Sequence, residues 1–172
     1  MRHRIQLNMR LALSVAVFLL LAASGLTSCE GTNWKSSVPR YGVNMIVDTN
    51  SGMFVHFVPT ALGQYVILDK EGYHYNGNTL PRTVMDMYGY GGVIIYVNML
   101  GSYDAYDLAC PNCAAHGLCS PCEVDGMFAV CPLCGERYDL GSGTAAPQEG
   151  IAHEFLLRLP IINSGGRLTV KQ

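Results

Sequence analysis

Two short cysteine pairs place the strongest constraint on how this chain folds. The sequence contains Cys110-Pro-Asn-Cys113 and, after seventeen intervening residues, Cys131-Pro-Leu-Cys134. Two C-x2-C turns brought together present four thiolates around one point, which is the ligand set of structural Zn²⁺ and of iron–sulfur centres. The spacing therefore predicts a metal site formed by these four cysteines.

The N-terminus predicts export and a lipid anchor. Three arginines precede an apolar run from Leu11 to Leu26, which is short for a membrane span and is typical of a secretory signal peptide. The run ends in Leu26-Thr27-Ser28-Cys29, which resembles the bacterial lipobox and implies cleavage after residues 1–28 and acylation of Cys29. Several acyl chains anchor a protein stably. The alternative is an uncleaved anchor helix, and both place the folded part on a membrane outside the cytoplasm. We expect the periplasmic face of the outer membrane.

The charge of the predicted mature chain argues against a nucleic-acid partner. Residues 29–172 carry eight basic and thirteen acidic side chains, a formal charge of −5, and no basic footprint. Residues 29–40 are mostly small and polar and predict a flexible tether. Residues 41–172 are then long enough for one domain with its own core. No site for a small-molecule substrate is evident.

The pattern of the mature chain predicts an all-β domain. Short runs rich in Val, Ile and Tyr are divided by Gly, Pro and Asn, and none keeps a helical apolar period for three turns. We predict strands at Tyr41–Asp48, Met53–Val58, Gln64–Asp69, Gly92–Asn98, Tyr103–Leu108, Glu123–Val130, His153–Leu159 and Arg167–Lys171, and one short helix at Pro81–Tyr88. Such a succession of short strands is typical of a sandwich or a small barrel.

The residues alone leave open what the cysteines hold. Zn²⁺, an iron–sulfur or single-iron centre, and disulfides without metal all fit, because the predicted compartment is oxidising and six cysteines remain after Cys29. The Cys-Pro-Leu-Cys-Gly form of the second pair is typical of a metal-binding turn and favours a metal. A third pair, Cys119-Ser-Pro-Cys122, lies between the other two. It forms a disulfide, stays reduced, or supplies alternative ligands alongside Cys110 and Cys113.

The residues around the cysteines resemble Rieske domains. Two stretches carry the resemblance: Gly92-Val-Ile-Ile-Tyr-Val through Cys110-Pro, and Phe128-Ala-Val-Cys131-Pro-Leu-Cys134-Gly through Phe155-Leu-Leu-Arg-Leu-Pro160. They follow the order of the strands and turns around the two cluster-binding loops of that family. The resemblance covers residues 41–172 and is closest to Rieske-like lipoproteins of Bacteroidota. It implies an antiparallel sandwich or barrel with a small metal-binding subdomain of two knuckle loops at residues 108–141.

This chain departs from the Rieske pattern at the ligands themselves. A Rieske centre has two cysteines on one iron and two histidines on the other, whereas the four corresponding positions here are all cysteines. Two thiolates in place of two imidazoles add negative charge, which suits structural zinc or gives a [2Fe-2S] cluster a low potential. Glu136 also stands where a serine commonly hydrogen-bonds the cluster in high-potential members of the family.

The predicted export route gives a second reason to expect zinc. Exported Rieske proteins commonly cross the membrane folded, by the twin-arginine route, but His3 separates Arg2 from Arg4 in this chain. Zinc binds after export without assembly machinery, and it contributes about 10–16 kcal/mol to the folding of zinc-finger peptides. The resemblance assigns the outer cysteine pairs to the metal, so Cys119 and Cys122 remain as a disulfide or as alternative ligands.

No catalytic constellation is present among the familiar motifs, since the chain lacks a G-x-S-x-G, a P-loop and a paired-carboxylate signature. We expect a non-catalytic envelope protein whose four-cysteine site holds a structural metal and which binds an unidentified protein partner or stabilises an assembly. The alternative is an electron-transfer module that carries a low-potential [2Fe-2S] cluster on the same four cysteines.

Overall fold

A computed structural model describes residues 35–148 and 153–172 of the chain. The predicted signal peptide and the predicted lipidation site, Cys29, lie outside these residues. Within the described ranges no helix has both the length and the apolarity to cross a membrane.

Short strands make up nearly all of the regular structure in the described residues. The strands are β1 Val43–Asp48, β2 Tyr65–Leu68, β3 Tyr73–Tyr75, β4 Asn78–Leu80, β5 Met87–Tyr88, β6 Val93–Val97, β7 Tyr103–Asp107, β8 Glu123–Asp125, β9 Phe128–Val130, β10 Arg137–Asp139, β11 Ala146–Pro147, β12 Arg158–Leu159, β13 Ile161–Ser164 and β14 Arg167–Lys171. One helix of five residues, α1 Pro111–Ala115, follows β7.

The strands form three antiparallel sheets, which confirms the predicted all-β fold class. The first has the order β13-β14-β1-β5, the second β12-β7-β6-β2-β3-β4, and the third β11-β10-β9-β8. The third sheet, together with α1, forms the small subdomain that contains the paired cysteines. Its central hairpin, β9–β10, pairs Val130 with Arg137 and Phe128 with Asp139, so the second cysteine pair lies in the connection between these two strands.

Strand β6 is buried on both faces and joins two hydrophobic cores. Val93 and Ile95 point into a core that the first and second sheets share. Ile94 and Tyr96, which alternate with them along the strand, point into a second core that also contains Tyr138 and the buried cysteines. A strand buried on both faces has a continuous apolar sequence, which is why this run lacks the alternation of an exposed strand.

Two predicted elements are wrong, and contacts with distant parts of the chain explain both. Met53–Val58 is a series of turns instead of a strand, because the Phe54 ring packs on Tyr73 and the Phe57 ring packs on Tyr75. Pro81–Tyr88 is not a helix: its last two residues form β5 and pair with β1, and the rest is a loop.

Two other predicted strands are shorter than expected. Glu123–Val130 is a hairpin, because Gly126 adopts a left-handed φ of 60° and turns the chain between β8 and β9. Only Arg158 and Leu159 of the predicted strand His153–Leu159 pair with a neighbour. Glu154, near its start, instead contacts Lys35 and Ser37 of the segment that precedes β1.

Part of the predicted tether packs on the domain. Val38 is buried in the core that the first two sheets share. The backbone N–H of Ser37 donates to the Glu154 carboxylate at 2.6 Å, and Lys35 pairs with the same carboxylate at 3.3 Å. Of the expected tether, Lys35, Ser37 and Val38 therefore contact the domain.

Candidate metal centre

The first cysteine pair lies on a short helical turn that follows β7. Cys110 is the N-cap residue of α1, and Pro111 occupies the first helical turn, where its missing N–H costs nothing. Cys113 lies almost one turn further along, so both sulfurs face the same side. The backbone N–H of Cys110 donates to the Ser120 carbonyl at 2.9 Å, which ties this turn to the returning segment.

The second cysteine pair lies in the tight connection between β9 and β10. The backbone N–H of Gly135 donates to the Cys131 carbonyl, and that of Cys131 donates to the Glu136 carbonyl, both at 2.9 Å. Gly135 has a φ of 76°, in the left-handed region that favours glycine, and no atom lies near the position of a Cβ there. The glycine is therefore required by backbone conformation and not by lack of space.

The fold brings all four predicted ligands together. The Sγ atoms of Cys110, Cys113, Cys131 and Cys134 all lie within 4.8 Å of one another. The Sγ–Sγ distance is 3.6 Å for Cys110–Cys134 and 3.6 Å for Cys113–Cys131, so each short contact joins the two loops. A tetrahedron with metal–sulfur bonds of about 2.3 Å has edges of about 3.8 Å. The donor set fits a single tetrahedral ion.

Side chains outside this group also contact its sulfurs through hydrogen bonds. The Tyr138 hydroxyl lies 3.4 Å from the Cys110 Sγ, and the Ser120 hydroxyl lies 3.3 Å from the Cys131 Sγ. The buried thiol of Cys122 is a further hydrogen-bond partner of Cys110. Such outer hydrogen bonds orient metal ligands and compensate for the charge on sulfur.

The electrostatics of the group call for a cation. The hydrogen bond from Cys122, with a further one from Tyr138, lowers the pKa of Cys110 to about 4 although burial opposes ionisation. Burial, followed by contact with Cys131, raises the pKa of Cys113, and burial also raises that of Cys134. Several negative charges this close are unfavourable without a counter-ion, so ionisation of the whole group would require a bound cation.

The third cysteine pair is divided between two environments. Cys119 is exposed and its Sγ lies 3.4 Å from the Tyr90 carbonyl, whereas Cys122 is buried next to Cys110. None of the six cysteines of the described residues is joined in a disulfide. The four-sulfur group includes neither Cys119 nor Cys122.

The sequence alone gives no sign of the outer hydrogen-bond partners. Tyr138 follows Cys134 by four residues, but nothing in the local sequence links its hydroxyl to a sulfur. Ser120 reaches Cys131 only because Ala109 and Pro121 form an antiparallel bridge that folds the intervening segment back. A contact between residues eleven positions apart carries no local sequence signal.

Comparison with known proteins finds weak structural similarities, among them those to a ferredoxin and to a Rieske monooxygenase. No protein-family model and no curated protein matches the chain. A ferredoxin of Sphingomonas yanoikuyae B1 is 18% identical with a TM-score of 0.36, over 50% of this chain and 83% of the ferredoxin. The quaternary ammonium Rieske monooxygenase CntA, in complex with an inhibitor, is 10% identical with a TM-score of 0.45, over 76% of this chain and 31% of the monooxygenase. Similarities this low carry no information about cofactor or activity.

Proposed function

We propose that this chain is a non-catalytic, lipid-anchored envelope protein whose four-cysteine site holds one structural zinc ion. The proposal of a bound metal rests on the positions of the four sulfurs. Four sulfurs within 4.8 Å of one another suit one ion, whereas a two-iron cluster divides its thiolates between two separated irons. Four thiolates leave no open coordination position, which is typical of structural sites and not of catalytic ones.

The pairing of the sulfurs also favours a single ion over a cluster of the Rieske kind. In a Rieske arrangement the second ligands of the two loops share one iron, which here would bring Cys113 next to Cys134. Two Sγ–Sγ contacts of 3.6 Å instead join the first cysteine of one pair to the second of the other. This crossed pattern differs from the assignment of ligands in a Rieske centre.

The lipid anchor and the envelope location rest on the sequence. The lipobox-like Leu26-Thr27-Ser28-Cys29 supports acylation of Cys29, and the preceding apolar run supports export. Within this proposal the zinc ion ties the first loop to the second and holds the small subdomain in place. The protein then acts at the periplasmic face of the outer membrane, by binding a partner protein or by stabilising an assembly.

The hydrogen bonds to sulfur also suit the alternative, an electron-transfer module with a [2Fe-2S] cluster on the same cysteines. Hydrogen bonds to sulfur tune the potential of iron–sulfur centres, and Ser120 and Tyr138 both reach ligand sulfurs. The same bonds also orient thiolates on zinc, so they do not decide between the two metals.

Metal analysis of the native protein decides between them. The full chain is purified from membranes in detergent without oxygen, and its metals, acid-labile sulfide and visible spectrum are measured on one sample. We expect one zinc ion per chain and no visible absorbance. Cys113→Ser should lose the zinc, whereas the matched control Cys119→Ser should keep it. Two irons with sulfide and a brown colour would overturn the zinc proposal.

A further inference from the structure

The four ligand cysteines differ in their access to solvent. Of the four, only Cys134 is exposed, and the other three are buried. The residues beside it in the second loop, Pro132, Leu133 and Gly135, are exposed as well. This part of the loop is therefore the outer edge of the site, and a reagent dissolved in water reaches the Cys134 sulfur before the others.

The sulfur of Cys110 is placed to react with that of Cys134. The two Sγ atoms lie 3.6 Å apart and belong to different loops. Hydrogen bonds hold both residues: Cys134 contacts the Asn112 side chain of α1, and the Cys110 N–H donates to the Ser120 carbonyl at 2.9 Å. A disulfide bond is about 2.05 Å long, so the two sulfurs need to approach by only about 1.5 Å to form one.

A metal ligand at the surface is also the cysteine most open to oxidation. Cysteines bind a metal as thiolates, and the thiolate is the form that reacts with oxidants. The predicted compartment is oxidising. Susceptibility follows thiolate character and exposure together, and Cys134 is the ligand that combines them.

We propose that Cys134 is an oxidation site that controls release of the metal, through a disulfide with Cys110. The inference rests on the proposed structural metal. A peroxide oxidises the Cys134 thiolate to a sulfenic acid, and its other oxygen leaves as hydroxide. The Cys110 thiolate then attacks the Cys134 sulfur, the S–S bond forms, and a second hydroxide leaves. Two electrons pass from the two sulfurs to the peroxide.

The disulfide exchanges one link between the loops for another. Once Cys110 and Cys134 are joined, only the thiolates of Cys113 and Cys131 remain as ligands, and the closed four-ligand site is lost. The new bond joins the same two loops that the metal joined. The small subdomain therefore stays closed while the metal leaves.

Cys122 is the competing partner for Cys110. It is a hydrogen-bond partner of Cys110, and the antiparallel bridge between Ala109 and Pro121 holds the two segments together. Cys122 is buried and lies outside the four-sulfur group, so neither the oxidant nor the metal activates it. The sulfenic acid forms at the exposed ligand, and Cys110 reacts there.

Peptide mapping of the peroxide-treated protein tests the pairing. The full chain is purified in detergent without oxygen and treated with hydrogen peroxide, and the remaining thiols are alkylated. Glutamyl endopeptidase cuts after Glu123 and so separates the first loop from the second. Only a disulfide across this cut links the two peptides, and fragmentation of the linked pair assigns its cysteines. A chromophoric chelator measures the released metal on the same sample.

We expect a disulfide between Cys110 and Cys134, release of one zinc ion per disulfide, and rebinding of zinc after reduction. Cys119→Ser is the matched control, because it removes an exposed cysteine outside the four-sulfur group, and it should behave like the unmodified protein. Cys122→Ser removes the competing partner and should form the same disulfide. A disulfide that pairs Cys110 with Cys122, or zinc that stays bound after peroxide, would overturn the proposal.

Failure of the zinc proposal is seen separately. Metal analysis before the addition of peroxide reports whether zinc is present. If it is absent, the structural-metal proposal fails, and the mapping still decides the oxidation site: a disulfide between Cys110 and Cys134 supports it, and the lack of one overturns it.

Discussion

At the scale of single residues, the site depends on side chains beyond its ligands. Ser120 and Tyr138 place hydroxyl groups on two of the four sulfurs, one on each loop. Both side chains are buried with the cysteines, so water does not compete for these bonds. Hydrogen bonds of this kind commonly change metal affinity without contributing a ligand.

Ser120→Ala should weaken metal binding while leaving the four ligands in place. Loss of the 3.3 Å contact with the Cys131 sulfur leaves its charge less compensated, and we expect about tenfold lower affinity. Competition with a chromophoric chelator measures the change. The control Ser164→Ala, at an exposed position on β13, should bind the metal like the unmodified protein. Equal affinities for the two variants would remove Ser120 from the site.

The hydrogen bond between Asp69 and His74 predicts part of the loss of folding stability at acidic pH. Burial disfavours the charged carboxylate, but hydrogen bonds from His74 and two backbone N–H groups outweigh it and hold the pKa of Asp69 below 3.8. A lowered folded pKa gives stability that is present above the unfolded pKa and is lost as pH falls through the folded one.

Asp69→Asn should therefore flatten the dependence of stability on pH below about pH 4. An amide does not titrate, so the variant is already weakened at neutral pH and loses less on acidification. Urea unfolding at a series of pH values measures the slope. An unchanged slope in the variant would show that this carboxylate does not contribute to acid unfolding.

At the scale of elements, a close backbone approach positions the first ligand loop. A Cβ at Gly91 would lie 2.4 Å from the Ala109 backbone nitrogen, and Ala109 directly precedes Cys110. The buried Asp107 carboxylate accepts from the N–H groups of both Gly91 and Ala109 at 2.9 Å. The segment that enters β6 is thereby fixed against the start of the metal loop.

Gly91→Ala should destabilise the domain by about 2–3 kcal/mol, because backbone atoms must shift to admit the methyl group. The shift also displaces Cys110, so metal affinity should fall in the same variant. Gly52→Ala is the control, since no atom lies within 4 Å of its Cβ position. Thermal unfolding of both variants measures the effect, and equal midpoints would contradict the close approach.

At the scale of the whole molecule, two cores meet along β6. The first, between the first and second sheets, contains no cysteine among the described residues. The second contains four buried cysteines, three of which belong to the four-sulfur group, so a bound cation would stabilise its interior. The two cores should respond differently to loss of the metal.

Chelation of the metal should loosen the small subdomain before the rest of the domain unfolds. We expect amide protection in β8, β9 and β10 to fall several-fold while β1 and β14 keep theirs, because the latter pair lies on the cysteine-free core. Hydrogen exchange with and without chelator measures this. Uniform loss of protection across all sheets would show that the metal supports the whole fold.

The sequence by itself determined the fold class and the composition of the site. Short β-rich runs divided by glycine predicted antiparallel sheets, and the observed β14 coincides with the predicted strand Arg167–Lys171. The two C-x2-C pairs predicted four sulfurs at one point, because each pair is a local turn whose spacing already aims both thiols the same way.

Only the tertiary structure decided the contacts between residues distant in the chain. Phe54 and Phe57 gave an apolar run typical of a strand, but aromatic packing on Tyr73 and Tyr75 made it a series of turns. The segment between the two cysteine pairs supplied hydrogen-bond partners to ligand sulfurs, through contacts that join separate elements. Local patterns report propensity, whereas these positions depend on which surfaces meet after the chain has folded.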